Sequence, residues 1–198
     1  YRLDQEAMAE PSLVRTGAEL SAGGGNLAAV LAVLRTRAPT EFAALTAEVI
    51  RLVPEFCGLE VTEDAAGAAE FGLRLDNGEV VTADNLSQGT LYLLGMLALA
   101  FDPDPPSVLC IEEIDRGIHP RMLREVRDAL YRLSYPESFG LARRAVQVIA
   151  TTHSPYLLDL FRDHPEEIVI AQKQGTVARF ERLADRPDIK ELLSEGSL

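Results

Sequence analysis

Val108-Leu109-Cys110-Ile111-Glu112-Glu113 is an apolar run of four residues that ends in two adjacent acids, and its reading decides the fold. An unbroken apolar run without alternation fits a strand covered on both faces, the pattern of a parallel sheet flanked by helices. Working outward, residues 91–100 are apolar all round and predict a buried helix before the strand, followed by a proline-rich loop at 102–106. After it, residues 120–133 predict a helix with Met122, Leu123, Val126, Leu130 and Leu133 inward. A second apolar strand over 145–150 then runs into Thr151-Thr152-His153-Ser154-Pro155. Buried strands alternating with helices predict an α/β architecture with a parallel sheet over residues 85–198.

The acids gain meaning from that placement. In an open α/β sheet, ligands bind beyond the carboxyl ends of the strands. Two adjacent carboxylates there are costly to desolvate unless a cation or a reacting water uses them. Taken alone, Glu112-Glu113 fits equally well a strand running out into a solvated acidic loop.

Residues 1–84 have a different character and predict an arm of helices and a β-meander. An extended lead-in over 1–25 ends in the loop Ser21-Ala22-Gly23-Gly24-Gly25. Asn26 is placed to cap a helix through Arg37, with Leu27, Val30, Leu31 and Leu34 on one stripe. A second helix from Pro39-Thr40 carries Phe42, Leu45, Val49 and Leu52, and Pro54 stops it. Short strands follow at 59–63 and 70–75, and Asp76-Asn77-Gly78-Glu79 turns the chain into Val80-Val81-Thr82, a strong hairpin signal. At the other end, 168–171 and 177–180 flank a turn at Gly175, and a short helix is expected from Pro187.

Composition sets limits on function. In 198 residues, 47% apolar and 25% charged residues make an ordinary globular mixture with room for one sizeable core. The net charge, 19 − 31 = −12, argues against a large nucleic-acid surface on this segment, so any DNA contact falls to regions outside this chain. No apolar run reaches the roughly 20 residues that span a bilayer, so no membrane partner is expected. Cys57 and Cys110 sit among apolar neighbours without metal-ligand spacing, and are expected to be reduced, buried thiols of a cytoplasmic protein. The N-terminus lacks the apolar core of a signal peptide. A chain without an initiator Met, ending in mid-helix pattern, is expected to be part of a longer protein.

Two further features lie near the acids in the expected topology. Leu86-Ser87-Gln88-Gly89-Thr90 sets a Ser at the start of the buried helix, where a hydroxyl, free N–H groups and the positive end of the dipole suit a phosphate. For an isolated Ser-X-Gly an ordinary N-cap is the more common explanation; it is the position relative to the acids that favours phosphate. His153 closes the second strand, where one ring nitrogen could donate to a phosphate, although a strand-end His is often only a packed side chain.

Together, the three features resemble a known family. Residues 86–90 resemble the ABC signature, 108–113 the Walker B strand, and 150–155 the switch-histidine segment, in the right order and at ABC-like spacing. Glu113-Ile114-Asp115-Arg116-Gly117-Ile118-His119-Pro120 resembles the variant of RecF-like and OLD-like AAA ATPases, and Gly25-Asn26-Leu27 their Gly-x-Asn-Leu stretch. The resemblance covers most of the chain. It implies the second half of a P-loop NTPase-type (ABC ATPase) domain of the SMC-like/RecF-like class, hydrolysing ATP with Mg²⁺ and working in DNA repair or phage defence. It implies that Glu112 is the metal-side carboxylate, Glu113 the catalytic base and His153 the γ-phosphate sensor. Ser87, Gln88 and Gly89 would grip the γ-phosphate of ATP held by the other subunit of a homodimer, with His119 near the dimer seam.

Two departures stand against the pattern. Glu112 replaces the commoner Asp and is one methylene longer, so its metal contact is less direct. No Gly-x-x-x-x-Gly-Lys-Ser/Thr is present, and Gly23-Gly24-Gly25-Asn26 is no substitute, since no Lys or Ser/Thr follows it. The resemblance implies that the phosphate loop lies on an N-terminal Walker A lobe preceding these residues, whether cut off, cleaved away or on a separate chain, and this chain alone is expected to be inactive. The alternative reading is a non-catalytic interaction or regulatory module that keeps the fold without binding ATP. A transporter subunit fits less well, because Ile118-His119-Pro120 is wrong for it. No second carboxylate cluster supports a nuclease.

Overall fold

The computed structural model describes residues 1–187; the helix expected from Pro187 lies almost wholly outside them. The chain divides into two compact units, Tyr1–Thr151 and a second beginning at Thr152.

The first unit opens with a short helix, α1 (Gln5–Ala9), capped by Asp4, and a two-residue strand, β1 (Ser12–Leu13), where the sequence suggested only extended chain. Helices α2 (Leu27–Arg37) and α3 (Pro39–Leu52) follow. The α2 cap differs from expectation. Asn26 occupies the cap position, but its side chain turns back on the preceding loop, accepting from Ser21 N at 2.7 Å and donating to Glu19 O at 2.8 Å. The hydroxyl that serves the first turn of α2 is Ser12 Oγ on β1, which accepts from Ala29 N at 2.9 Å. Residues 27–32 are all buried, so α2 is enclosed all round instead of carrying a single stripe.

Strands β2 (Phe56–Glu63), β3 (Ala68–Leu75) and β4 (Val80–Thr82) form the expected meander, and β1 pairs with the free edge of β3 to make a four-stranded antiparallel sheet. Both α2 and α3 pack on it, burying Leu45, Val49, Ala69 and Leu73.

Helix α4 (Gln88–Phe101) is buried over its whole apolar length, as expected. Strand β5 (Val108–Ile111) leads to a 3-10 turn at Pro120–Met122 and then to α5 (Leu123–Ser134). The helix expected from Pro120 therefore starts a turn late: the His119 ring caps the 3-10 turn, and Met122 stays half-buried outside α5. Leu123, Val126, Ala129, Leu130 and Leu133 form the inward stripe. Arg51 of α3 ties the arm helices to α5 through Glu125 at 2.6 Å, while also holding Glu48 at 2.7 Å.

Strand β6 (Gln147–Ala150) pairs with β5 in parallel, Leu109 opposite Val148 and Ile111 opposite Ala150. The parallel pairing agrees with the sequence; the burial does not. On β5 only Leu109 and Ile111 are buried, while Val108 is 51% exposed and Cys110 is open; on β6 Ile149 is 53% exposed. Cys57 is half-buried. Neither cysteine is the enclosed thiol that its apolar neighbours suggested; Cys110 is open because it shares the exposed face of β5 and β6 with Val108 and Ile149. Both remain free thiols.

The second unit, taken by itself, holds a short helix, α6 (Pro155–Asp159), capped by Ser154, and the antiparallel hairpin of β7 (Val169–Gln174) and β8 (Val177–Arg182) that the Gly175 turn predicted.

Candidate functional site at the end of β5

Strand β5 is gripped on both edges. Beyond its pairing with β6, Tyr1 N donates to Cys110 O and Glu112 N donates to Tyr1 O at 2.8 Å, the bond pattern of a parallel neighbour. Ile111 is thus held between two backbones, and Glu112 and Glu113 emerge at the carboxyl end, where the sequence places them.

Glu112 is exposed, and its nearest cation is Arg2, Nε to Oε2 3.8 Å. Glu113 is half-buried, with Arg116 at 3.9 Å. Both ion pairs are long and solvent-accessible, so each carboxylate is left with most of its acceptor capacity. A shallow hollow beside them is floored by Leu3, Tyr92, Met96 and Ile111.

The backbone at Glu113 is unusual. Its φ is +49°, the one positive value at a non-glycine among the described residues. That left-handed conformation is disfavoured for a residue with a Cβ. It lets the chain turn immediately: Arg116 N donates to Glu113 O at 2.8 Å and Ile118 N to Asp115 O at 3.1 Å. Thr151, the residue after β6, lies alongside. Its N–H donates to Ile111 O at 2.9 Å, its Oγ1 accepts from Glu113 N at 3.0 Å and its carbonyl accepts from Ile114 N at 3.0 Å. Sequence reading placed Thr151 only in the run that follows the second apolar strand, and missed both these bonds and the strained conformation, which no glycine at position 113 advertises.

Ser87 caps α4, accepting from Thr90 N at 3.2 Å and pairing with Thr90 Oγ1 at 2.8 Å. It is exposed at the positive end of a fourteen-residue helix. Gly89 meets the turn after the acids directly: a Cβ on Gly89 would lie 2.7 Å from Gly117 O, and one on Gly117, whose φ is +70°, would lie 2.6 Å from Gln88 Oε1. Gln88 in turn donates to Tyr92 Oη at 3.0 Å, and Tyr92 donates to Leu3 O at 2.8 Å. The segments around Ser87 and Glu113 are therefore one packed assembly.

His119 is exposed, and its Nδ1 accepts from Arg121 N at 3.2 Å. His153 is exposed and belongs to the second unit, two residues beyond Thr151 in the chain. Among the described residues no group of three or more His, Cys, Asp or Glu side chains could hold a metal by itself. No described helix is long and apolar enough to cross a membrane.

The model of the family described as "AAA domain, putative AbiEii toxin, Type IV TA system" matches residues 26–159. No curated protein matches the sequence. Among solved structures, one from work on ATP-driven dimerization and DNA stimulated activation of SMC ATPases is similar over 85% of this chain and 98% of its own, with 13% identity and a TM-score of 0.58. The Smc head domain with a coiled coil and joint from Pyrococcus yayanosii is similar over 83% of this chain, with 15% identity and a TM-score of 0.54; this chain spans 30% of its length. These likenesses show the fold: the α/β architecture of SMC ATPase heads.

Proposed function

The chain belongs to this AAA-domain family, and from that membership we propose that it is the C-terminal part of an ATP-hydrolysing head of the SMC-like and RecF-like kind, which dimerises around nucleotide. The observation that carries the reading is the placement of Glu112 and Glu113 at the carboxyl end of a parallel strand, packed through Gly117 against the N-terminus of α4. Ligands of open α/β sheets are bound at such strand ends.

The donor set fits Mg²⁺ of the kind that nucleotides bring. Mg²⁺ keeps several waters and takes one or two protein carboxylates beside the phosphate oxygens. Glu112, exposed and only loosely paired with Arg2, is the carboxylate that would hold it. When bound, the ion neutralises charge on the phosphates. Glu113 accepts the proton of the water that attacks the γ-phosphate, and its half-buried setting and fixed backbone keep it aimed. Ser87, with the N–H groups of Gln88 and Gly89, takes the γ-phosphate of ATP held by a second copy, and His119 lies towards the seam. His153 is assigned the γ-phosphate sensor role, by its position three residues after the end of β6 in the sequence. The phosphate-cradling N–H groups belong to a separate Walker A lobe, for which the open face of β5 and β6 offers apolar surface at Val108 and Ile149. DNA repair or phage defence is the proposed setting, with DNA bound outside this chain, in the cytoplasm.

The test is Glu113→Gln in the full-length protein. ATP binding is expected to persist while turnover falls roughly 10²–10⁴-fold, because an amide cannot take the water's proton. Turnover near that of the parent would remove Glu113 from the chemistry and favour a binding module.

A further inference from the structure

We infer that Thr151 is a positioning residue for Glu113. This rests on Glu113 being the base. Glu113 stands in a conformation that its own chemistry resists, with φ at +49°. Something outside the residue must hold it there, and strain of this kind persists only where the surroundings over-determine it.

Thr151 supplies that determination from three sides. Its N–H fixes Ile111 O, its carbonyl takes Ile114 N and its hydroxyl takes Glu113 N. The first two are backbone bonds that any residue would make. The third needs an acceptor on the side chain, and it acts on the peptide unit whose rotation sets where the Cα–Cβ bond of Glu113 points. Glu113 N has no carbonyl partner, because the chain leaves the β5 ladder at this residue. Thr151 Oγ1 takes the place of the missing strand. With the hydroxyl removed, the Glu113 peptide is free to rotate towards the ordinary right-handed or extended regions, swinging the carboxylate away from the line on which it meets the water. Misplacement of a catalytic group by one ångström can lower a rate on the order of 10²-fold.

The experiment compares Thr151→Val, which keeps the shape and removes the acceptor, with Thr151→Ser, which keeps the acceptor, both in the full-length protein. Thr151→Val is expected to lower kcat by about 10- to 100-fold with KM and calorimetric Kd for Mg-ATP within about two-fold of the parent, and Thr151→Ser to stay within about two-fold throughout. Thr151→Val added to Glu113→Gln should cost nothing further, since both act through one carboxylate. A kcat for Thr151→Val near the parent's, or an equal fall for Thr151→Ser, would overturn the inference. If Thr151→Val does not fold, Thr151→Ala with the same two readouts takes its place, with a melting curve to show the fold intact. An inactive Glu113→Gln beside a fully active Thr151→Val sinks only the role of Thr151; an active Glu113→Gln sinks the base assignment and this inference with it.

Discussion

Two sheets of the first unit make opposite use of apolar sequence. In the meander, Ala69 and Leu73 on β3 are fully buried, α2 packs on β3 and α3 on β2, and β1 closes the free edge of β3. In the β5–β6 pair, Val108 and Ile149 stand half open to solvent although they are as apolar as anything in the meander. Burial of apolar surface is the main favourable term in folding. The meander therefore carries its own stability, while the β5–β6 pair presents chemistry at one end and uncovered surface on one face. The arm is closed among the described residues, and the sheet that bears the acids keeps one face open.

That contrast can be broken by mutation. The largest stability effect is expected from Leu73→Ala, which empties a closed core and should cost about 2–5 kcal/mol in chemical denaturation of this chain. A loss under about 1 kcal/mol would mean that the meander is looser than its burial implies. Next is Gly117→Ala. A side chain at φ +70° and 2.6 Å from Gln88 Oε1 is strained and must push the Gln88 side chain aside, for about 1–3 kcal/mol. In the full-length protein it should also abolish ATP-dependent dimerisation, read by sedimentation. Dimerisation unchanged would uncouple the N-terminus of α4 from the turn.

Smaller still, Ser12→Ala removes the hydroxyl that serves Ala29 N and should cost about 1 kcal/mol, where Asn26→Ala would have been the choice from sequence. The smallest effect sharpens the comparison most. Val108→Ser is expected to change the stability of this chain by less than about 0.5 kcal/mol, as at an ordinary surface position. In the full-length protein it should cost about 1–3 kcal/mol, because a hydroxyl is then enclosed without a partner. Equal small effects in both would show that the outer face of β5 stays wet.

The same contrast explains what the sequence could tell. Periodicity predicted α3, the three strands of the meander and β5 within a few residues, because each is local and its partners lie in the same chain. It also predicted the parallel pairing of β5 with β6. It failed where an element is covered on one face only. Cys110 has the apolar neighbours of a buried thiol, and hydrophobicity records what a residue is built to touch, which the described chain supplies on one face only. It failed again where one hydroxyl substitutes for another: Asn26 is a good cap by type, but its amide is drawn off by Ser21 and Glu19 while Ser12 reaches in from β1. At the candidate site, the residue types and their order were legible in Ser87, Gly89, Glu112 and Glu113. The left-handed backbone of Glu113 and its bond to Thr151 were not, since residues 38 apart leave no mark in any local pattern.

The Gly89–Gly117 contact has a mechanical consequence. A side chain between two moving parts behaves as a spring, taking up small displacements by changing rotamer. Here the backbone of Gly89 rests on the backbone of Gly117, and the Gln88 side chain packs beside them. Interiors packed this tightly transmit strain instead of absorbing it. A shift of the α4 N-terminus therefore reaches the 113–118 turn at nearly full amplitude, like gear teeth cut without backlash.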